Sequence, residues 1–206
     1  MNFIEYYECN RQEKLRGNYI IEAPEGFGKT TILKGMYNRY KEQLTMGTGN
    51  IIPIYIRLAD INVKSREDLI DGIILEFVRE QFYSSDEYGI TKTSIQSMIR
   101  DNSQYKFLFL LDGLNEVINR ELEMGGCCVL DVLNNDFKKR CSDNKCFLDY
   151  PNVDIVVTTR KSSYIKEELL EKQADHEHRY FRVVKLEKLH LDVHSVNSEL
   201  LELLDT

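Results

Sequence analysis

The sequence predicts an α/β protein built in three layers, a mostly parallel sheet covered by helices on both faces. Three observations carry this. Apolar, strand-like runs alternate with stretches of helical period along the chain, the pattern of parallel β–α units. One run, Phe107-Leu108-Phe109-Leu110-Leu111, is continuously apolar, which requires cover on both faces of its sheet. A glycine-bearing loop also joins a strand to a helix near the start of the chain, over residues 23–31.

In chain order, Phe3, Ile4, Tyr6 and Tyr7 in the polar segment 1–16 predict one helical turn packed on the domain edge. Tyr19-Ile20-Ile21 reads as a strand entering the loop. Behind the loop, Ile32, Leu33, Met36, Tyr37, Tyr40 and Leu44 recur on one helical face. Met46-Gly47-Thr48-Gly49-Asn50 is a turn-rich break, and residues 51–58 form a buried strand that Pro53 assigns to an edge. Ser65-Arg66-Glu67-Asp68 resembles a capping box with Asp in place of Glu, followed by a core-facing stripe from Leu69 to Phe82. A helix over 94–100 precedes the strand that ends in Asp112, and further strands are expected over 153–159, with Arg160 at the exit, and over 180–186.

A chain of 206 residues suits one sizeable α/β domain with at most a fragment of a second. The net charge of -7 and pI near 5.2 argue against nucleic acid as the main partner, because no basic excess exists to neutralise a phosphate backbone. Five cysteines, an odd number, and an N-terminus without a basic and apolar leader point to a reducing, cytoplasmic compartment. The apolar run 107–111 is far too short to span a bilayer, so no membrane segment is expected.

The loop Ala23-Pro24-Glu25-Gly26-Phe27-Gly28-Lys29-Thr30-Thr31 matches the P-loop pattern at Gly28, Lys29 and Thr30, with Ala23 in the first small position. Residues 24 to 31, namely Pro24, Glu25, Gly26, Phe27, Gly28, Lys29, Thr30 and Thr31, are thereby the candidate nucleotide-binding set. Gly26 and Gly28 let the backbone curl its N–H groups round a polyphosphate at the positive end of a helix. Lys29 would reach the β and γ phosphates, and the Thr30 hydroxyl would ligate Mg²⁺.

In an open parallel sheet the ligand lies beyond the carboxyl ends of the strands. Those ends deliver the P-loop, Asp112-Gly113-Leu114-Asn115-Glu116, and Thr159-Arg160. An apolar strand ending in Asp is a Walker-B pattern, which makes Asp112 the second candidate metal-site residue opposite Thr30. Glu116 is the candidate base for an attacking water, which Asn115 could position but not deprotonate. Arg160 is the candidate cation for a γ-phosphate.

These residues resemble the NACHT family within the STAND class of P-loop NTPases. The matching pieces are the segment 23–31, the Walker-B strand with the tiny Gly113 directly after its acid, and Thr158-Thr159-Arg160. The resemblance covers residues 17–188 and implies a sheet ordered 5-1-4-3-2, ADP in the resting state and ATP in the active one. The family's acidic pair falls on positions 115 and 116; Asn115 departs from it and leaves Glu116 alone, which implies slow hydrolysis. Full members carry a helical lid, sensor and effector domains. Here residues 1–16 read as a lead-in, 117–150 as an insertion in the core, and 189–206 as the start of a truncated lid.

Cys127, Cys128, Cys141 and Cys146 lie in the insertion with poor spacing for zinc and no neighbouring histidine, and read as free thiols. His176 and His178 sit in a charged stretch and receive no role. Asn144-Lys145-Cys146-Phe147 fails the guanine-reading pattern at its last position, which favours ATP. Three functions follow: a slowly hydrolysing ATP switch whose nucleotide state controls self-association, a monomeric P-loop ATPase or nucleotide-dependent kinase, or a non-hydrolysing ADP-binding scaffold. In the switch, Arg160 would meet a γ-phosphate and find no partner charge with ADP.

Overall fold

The computed structural model describes residues 3–12, 18–60, 92–116, 152–160 and 182–186. Its elements run α1 (Phe3–Gln12), β1 (Tyr19–Glu22), α2 (Lys29–Thr45), β2 (Ile51–Arg57), a 3₁₀ turn (Leu58–Asp60), α3 (Lys92–Asp101), β3 (Lys106–Asp112), β4 (Val153–Thr159) and β5 (Arg182–Lys185). The five strands form one sheet in the order β2-β3-β4-β1-β5. Every pairing is parallel. Read from the other edge this is 5-1-4-3-2, the order the family resemblance implies, and β2 lies at the edge that Pro53 assigned to it.

The alternation of side chains along the strands splits the core in two. Leu108, Leu110, Val156, Ile51, Tyr19 and Ile21 pack with Leu33, Met36 and Tyr40 of α2. On the opposite face Phe107, Phe109, Ile155 and Val157 are equally buried. β4 is buried along its whole length, as central strands are when both faces are covered. The N-terminus of α2 has no side-chain cap, a lack that at a glycine N-cap costs only about a few tenths of a kcal/mol. Burying Leu33, Met36 and Tyr40 contributes about 1.5–3 kcal/mol each, so packing rather than capping holds this helix against the sheet.

α1 is longer than the single turn expected, at ten residues, and it enters the core instead of resting on the rim. Phe3 and Tyr7, one turn apart, face the sheet together. Tyr7 and Tyr40 meet edge to face with centroids 6.2 Å apart, and the Tyr7 hydroxyl donates to buried Asp154 at 2.9 Å. Asn18 immediately precedes β1 and ties it to both neighbours: its side-chain oxygen accepts from Ile155 N, and its carbonyl from Arg182 N, each at 3.0 Å. The last strand is Arg182–Lys185, within the expected 180–186; Leu186 follows its end, and residues 180 and 181 lie outside the described residues. The capping box and stripe over 65–82, the insertion 117–150 with its four cysteines, His176, His178 and residues 189–206 lie outside the described residues.

Candidate functional site

The parallel sheet brings the carboxyl ends of β1, β3 and β4 to one edge, with β2 beside them. The β1–β4 ladder continues one step into the loop, where Ala23 N donates to Thr159 O at 3.2 Å. Beyond Ala23 the backbone turns through Gly26 and Gly28 at φ of 78° and 77°, a left-handed conformation that side chains with a Cβ avoid. Gly28 is the N-cap of α2, and no acidic residue occupies the first turn. The positive end of this helix therefore faces the cleft without a carboxylate of its own.

Lys29 folds back across the loop. Its ammonium donates to the carbonyls of Ala23 at 2.7 Å and Pro24 at 2.6 Å. Burial lowers its pKa, and the nearby Arg160 lowers it further, against opposing pulls from Asp112 and Glu25. Two cations held this close favour an anion between them.

Asp112 ends β3 and is nearly buried. Thr30 Oγ1 and Tyr55 OH both donate to its Oδ2, at 2.8 and 2.9 Å. Thr158 Oγ1 donates to Oδ1 at 2.5 Å and itself accepts from Gly113 N at 3.0 Å. Three strand or helix ends thus converge on one carboxylate.

Gly113 turns the chain out of β3 with φ of 86°. A Cβ there would lie 3.2 to 3.5 Å from the carboxyl atoms of Glu116. The left-handed turn favours the tiny residue that the sequence places after the acid, and a Cβ would in addition crowd the Glu116 carboxylate by a few tenths of an ångström. Glu116 N donates to Gly113 O at 2.9 Å, closing that turn.

Asn115 is tied down by structure: its Oδ1 accepts from Arg160 N at 3.1 Å, linking the exits of β3 and β4. The Arg160 side chain corrects an expectation. It is not without a counter-charge, since Arg160 Nη2 lies 3.1 Å from Glu25 Oε2. The reason is the β1–β4 pairing, which sets the P-loop directly beside the exit of β4.

These residues surround one cleft of about 480 Å³, within the usual range for a small-ligand site. Of the candidate residues it brings together Glu25, Gly26, Gly28, Lys29, Thr30, Thr31, Asp112, Glu116 and Arg160. Pro24 and Phe27 are not among its lining. Lys34, Tyr55 and Arg57 line it as well and were not singled out from the sequence, and Thr158, quoted there only within the segment Thr158-Thr159-Arg160, was given no role. Thr158 stood next to a marked arginine, but a threonine in a strand reads first as a β-former.

Among the described residues no group of three or more His, Cys, Asp or Glu side chains converges as a metal cage. Mg²⁺ does not require one, because it keeps several waters and takes one or two carboxylates with substrate phosphates. Asp112 beside the Thr30 hydroxyl is a donor set of that kind.

No protein-family model matches this chain, and no curated protein is similar to it at a significant level. Solved structures are. The Walker-type ATPase of Pyrococcus abyssi superposes with a TM-score of 0.53 at 13% identity, over 97% of this chain and 57% of that one. The ORC2 protein of Aeropyrum pernix, solved as ADPNP–ADP complexes, gives 0.48 at 15% identity, over 88% of this chain and 45% of that one. Cdc6p from Pyrobaculum aerophilum gives 0.47 at 13% identity, over 81% and 38%. The chain therefore spans about 38 to 57% of the length of these proteins. With the sheet order and the loop, the likeness to the Walker-type ATPase shows a P-loop NTPase fold. No helix among the described residues is long and apolar enough to cross a membrane.

Proposed function

We propose that this chain binds ATP with Mg²⁺ in the cleft, hydrolyses it slowly, and acts as a switch module of the NACHT type in which nucleotide state controls self-association. One observation carries the nucleotide site: Thr30 at the head of α2 and Asp112 at the end of β3, 82 residues apart, meet at 2.8 Å beside the glycine loop and Lys29. This is the arrangement that a metal-bound triphosphate requires on its protein side.

In this reading the loop N–H groups and Lys29 hold the phosphates, and Lys29 exchanges two backbone carbonyls for phosphate oxygens. Asp112 and the Thr30 hydroxyl would hold Mg²⁺, which when bound would neutralise phosphate charge. Glu116 accepts a proton from a water whose oxygen bonds to the γ-phosphorus as the bond to the bridging oxygen breaks, giving ADP and phosphate. Slow turnover is supported by Asn115, which stands at the first position of the acidic pair and is engaged with the Arg160 backbone. Supporting the family reading are the left-handed Gly113 and the Glu116 carboxylate over it.

Asp112→Asn separates metal from water chemistry. An asparagine offers one acceptor oxygen where three hydroxyls now donate to two, so a stability loss of about 1–3 kcal/mol is expected. ATP binding should lose most of its Mg²⁺ dependence, measured by calorimetry with and without the metal. Retained Mg²⁺ dependence would remove Asp112 from the metal site. Steady-state phosphate release distinguishes the hydrolysing readings from an ADP-binding scaffold, and size analysis in ADP and in an ATP analogue distinguishes the switch from a monomeric ATPase or kinase.

The Glu25–Arg160 pair sets how strongly this site distinguishes ATP from ADP. Both side chains are half or more exposed, so the pair is worth about 0–1 kcal/mol, and a γ-phosphate that recruits Arg160 must first displace Glu25. Arg160→Ala should narrow the preference for ATP over ADP, and Glu25→Gln should widen it, each by no more than about tenfold. Titration calorimetry with both nucleotides measures this. Equal losses for ATP and ADP in Arg160→Ala would make that arginine structural.

A further inference from the structure

Tyr55 stands on the edge strand β2, and its ring packs as an edge-strand aromatic is expected to, meeting Tyr37 of α2 with centroids 6.5 Å apart at 62°. Its hydroxyl leaves that packing and crosses to β3. In the β2–β3 register Tyr55 is opposite Leu110, and Arg57 is opposite Asp112. The hydroxyl must therefore span two residues of rise, about 6–7 Å, to reach the carboxylate. A phenol has that length and a serine or threonine does not. A phenol keeps its proton at neutral pH, so against the ionised carboxylate the hydroxyl is the donor.

We propose that Tyr55 is a positioning residue for the metal acid: its hydroxyl, donating to Asp112 Oδ2 at 2.9 Å, fixes the carboxylate so that it serves Thr30 and a Mg²⁺-bound triphosphate. The proposal rests on the reading of the cleft as a nucleotide site. An ionised carboxylate has about four acceptor positions. Thr30, Tyr55 and Thr158 fill three, which pins the group from two strands and a helix and leaves about one for the metal or its water. Groups that orient a metal-site carboxylate in this way set metal affinity without touching the metal. A tyrosine that only packed would leave metal affinity unchanged when its hydroxyl was removed, and one that competed with the metal for Oδ2 would raise it.

The test is Tyr55→Phe, which keeps the ring against Tyr37 and removes the donor. ATP binding is titrated by calorimetry in EDTA and then across a range of Mg²⁺, and the same protein is followed by the electron spin resonance of Mn²⁺ bound with ATP. The expected result is a metal-free ATP affinity within about twofold of wild type, a Mg²⁺ midpoint about tenfold higher, and a changed Mn²⁺ spectrum. An unchanged or lower Mg²⁺ midpoint overturns the proposal, as does a loss of metal-free affinity equal to the loss with metal, or a lower melting temperature with the Mg²⁺ midpoint intact. If wild-type protein binds no nucleotide with or without metal, the nucleotide-site reading fails and this inference fails with it. If wild type binds and only Tyr55→Phe is indistinguishable from it, the site stands and the inference alone falls.

Discussion

Lys29→Ala is expected to lower ATP affinity by at least about a hundredfold while leaving the fold intact. The lysine ammonium would make charge-assisted contacts to two phosphates, each worth about 1.5–3 kcal/mol, and a hundredfold corresponds to about 2.7 kcal/mol. The fold should survive because losing the two Lys29 contacts to the Ala23 and Pro24 carbonyls leaves the other features that shape the loop in place. Gly26 and Gly28 set the turn, Ile32 N donates to Gly28 O at 2.9 Å to start α2, and Ala23 N is anchored on Thr159 O. Alanine is also a better helix former than lysine at that first helical position. Calorimetric titration of wild type and variant checks this, with the melting temperature as the control. Affinity within a few fold of wild type would mean that Arg160, Lys34 or Arg57, which line the same cleft, holds the phosphates instead.

Glu116→Gln should slow hydrolysis by about two or more orders of magnitude with ATP still bound. A general base contributes about 10²–10⁴ to rate, and glutamine keeps the shape of the side chain but cannot take a proton. The fold-over of this side chain on Gly113 is steric and is retained by the amide. Single-turnover phosphate release with prebound ATP is the measurement. An unchanged rate would assign the proton to another group, and Asn115 is no substitute because it accepts the Arg160 N–H and has no basic atom.

Much of this arrangement was legible in the sequence because burial leaves a simple signature. β3 and β4 are central strands covered on both faces, and both were visible as apolar runs ending in a polar residue. Pro53 marked β2 as an edge, since a missing N–H is tolerated there. Thr30 and Asp112 were paired in advance by their places after a glycine loop and at a strand end, and the structure joins them. The strand order came from the family resemblance rather than from periodicity, which does not encode which parallel strands are neighbours.

What escaped has a common cause: each missed contact depends on a crossing between elements, and its local sequence had an ordinary explanation. Tyr55 satisfies the β2 pattern as a packing residue, and only the β2–β3 register shows where its hydroxyl goes. Thr158 is a β-branched residue in a strand until Gly113 N and Asp112 are seen on its hydroxyl. The Glu25–Arg160 pair follows from β1 lying beside β4. The length of α1 was underestimated because its buried face consists of Phe3 and Tyr7 in an otherwise polar segment, too few apolar residues to trace ten residues of helix.

The central claim, that this cleft holds a metal-bound nucleoside triphosphate, is tested most directly by the melting temperature of the wild-type chain with and without ATP and Mg²⁺. A ligand at about a hundred times its Kd adds about 2.7 kcal/mol to stability, which for a chain of this size is a rise of about 5–10 °C, and the account predicts such a rise. A melting temperature that millimolar ATP or ADP leaves unmoved, with or without Mg²⁺, would contradict it.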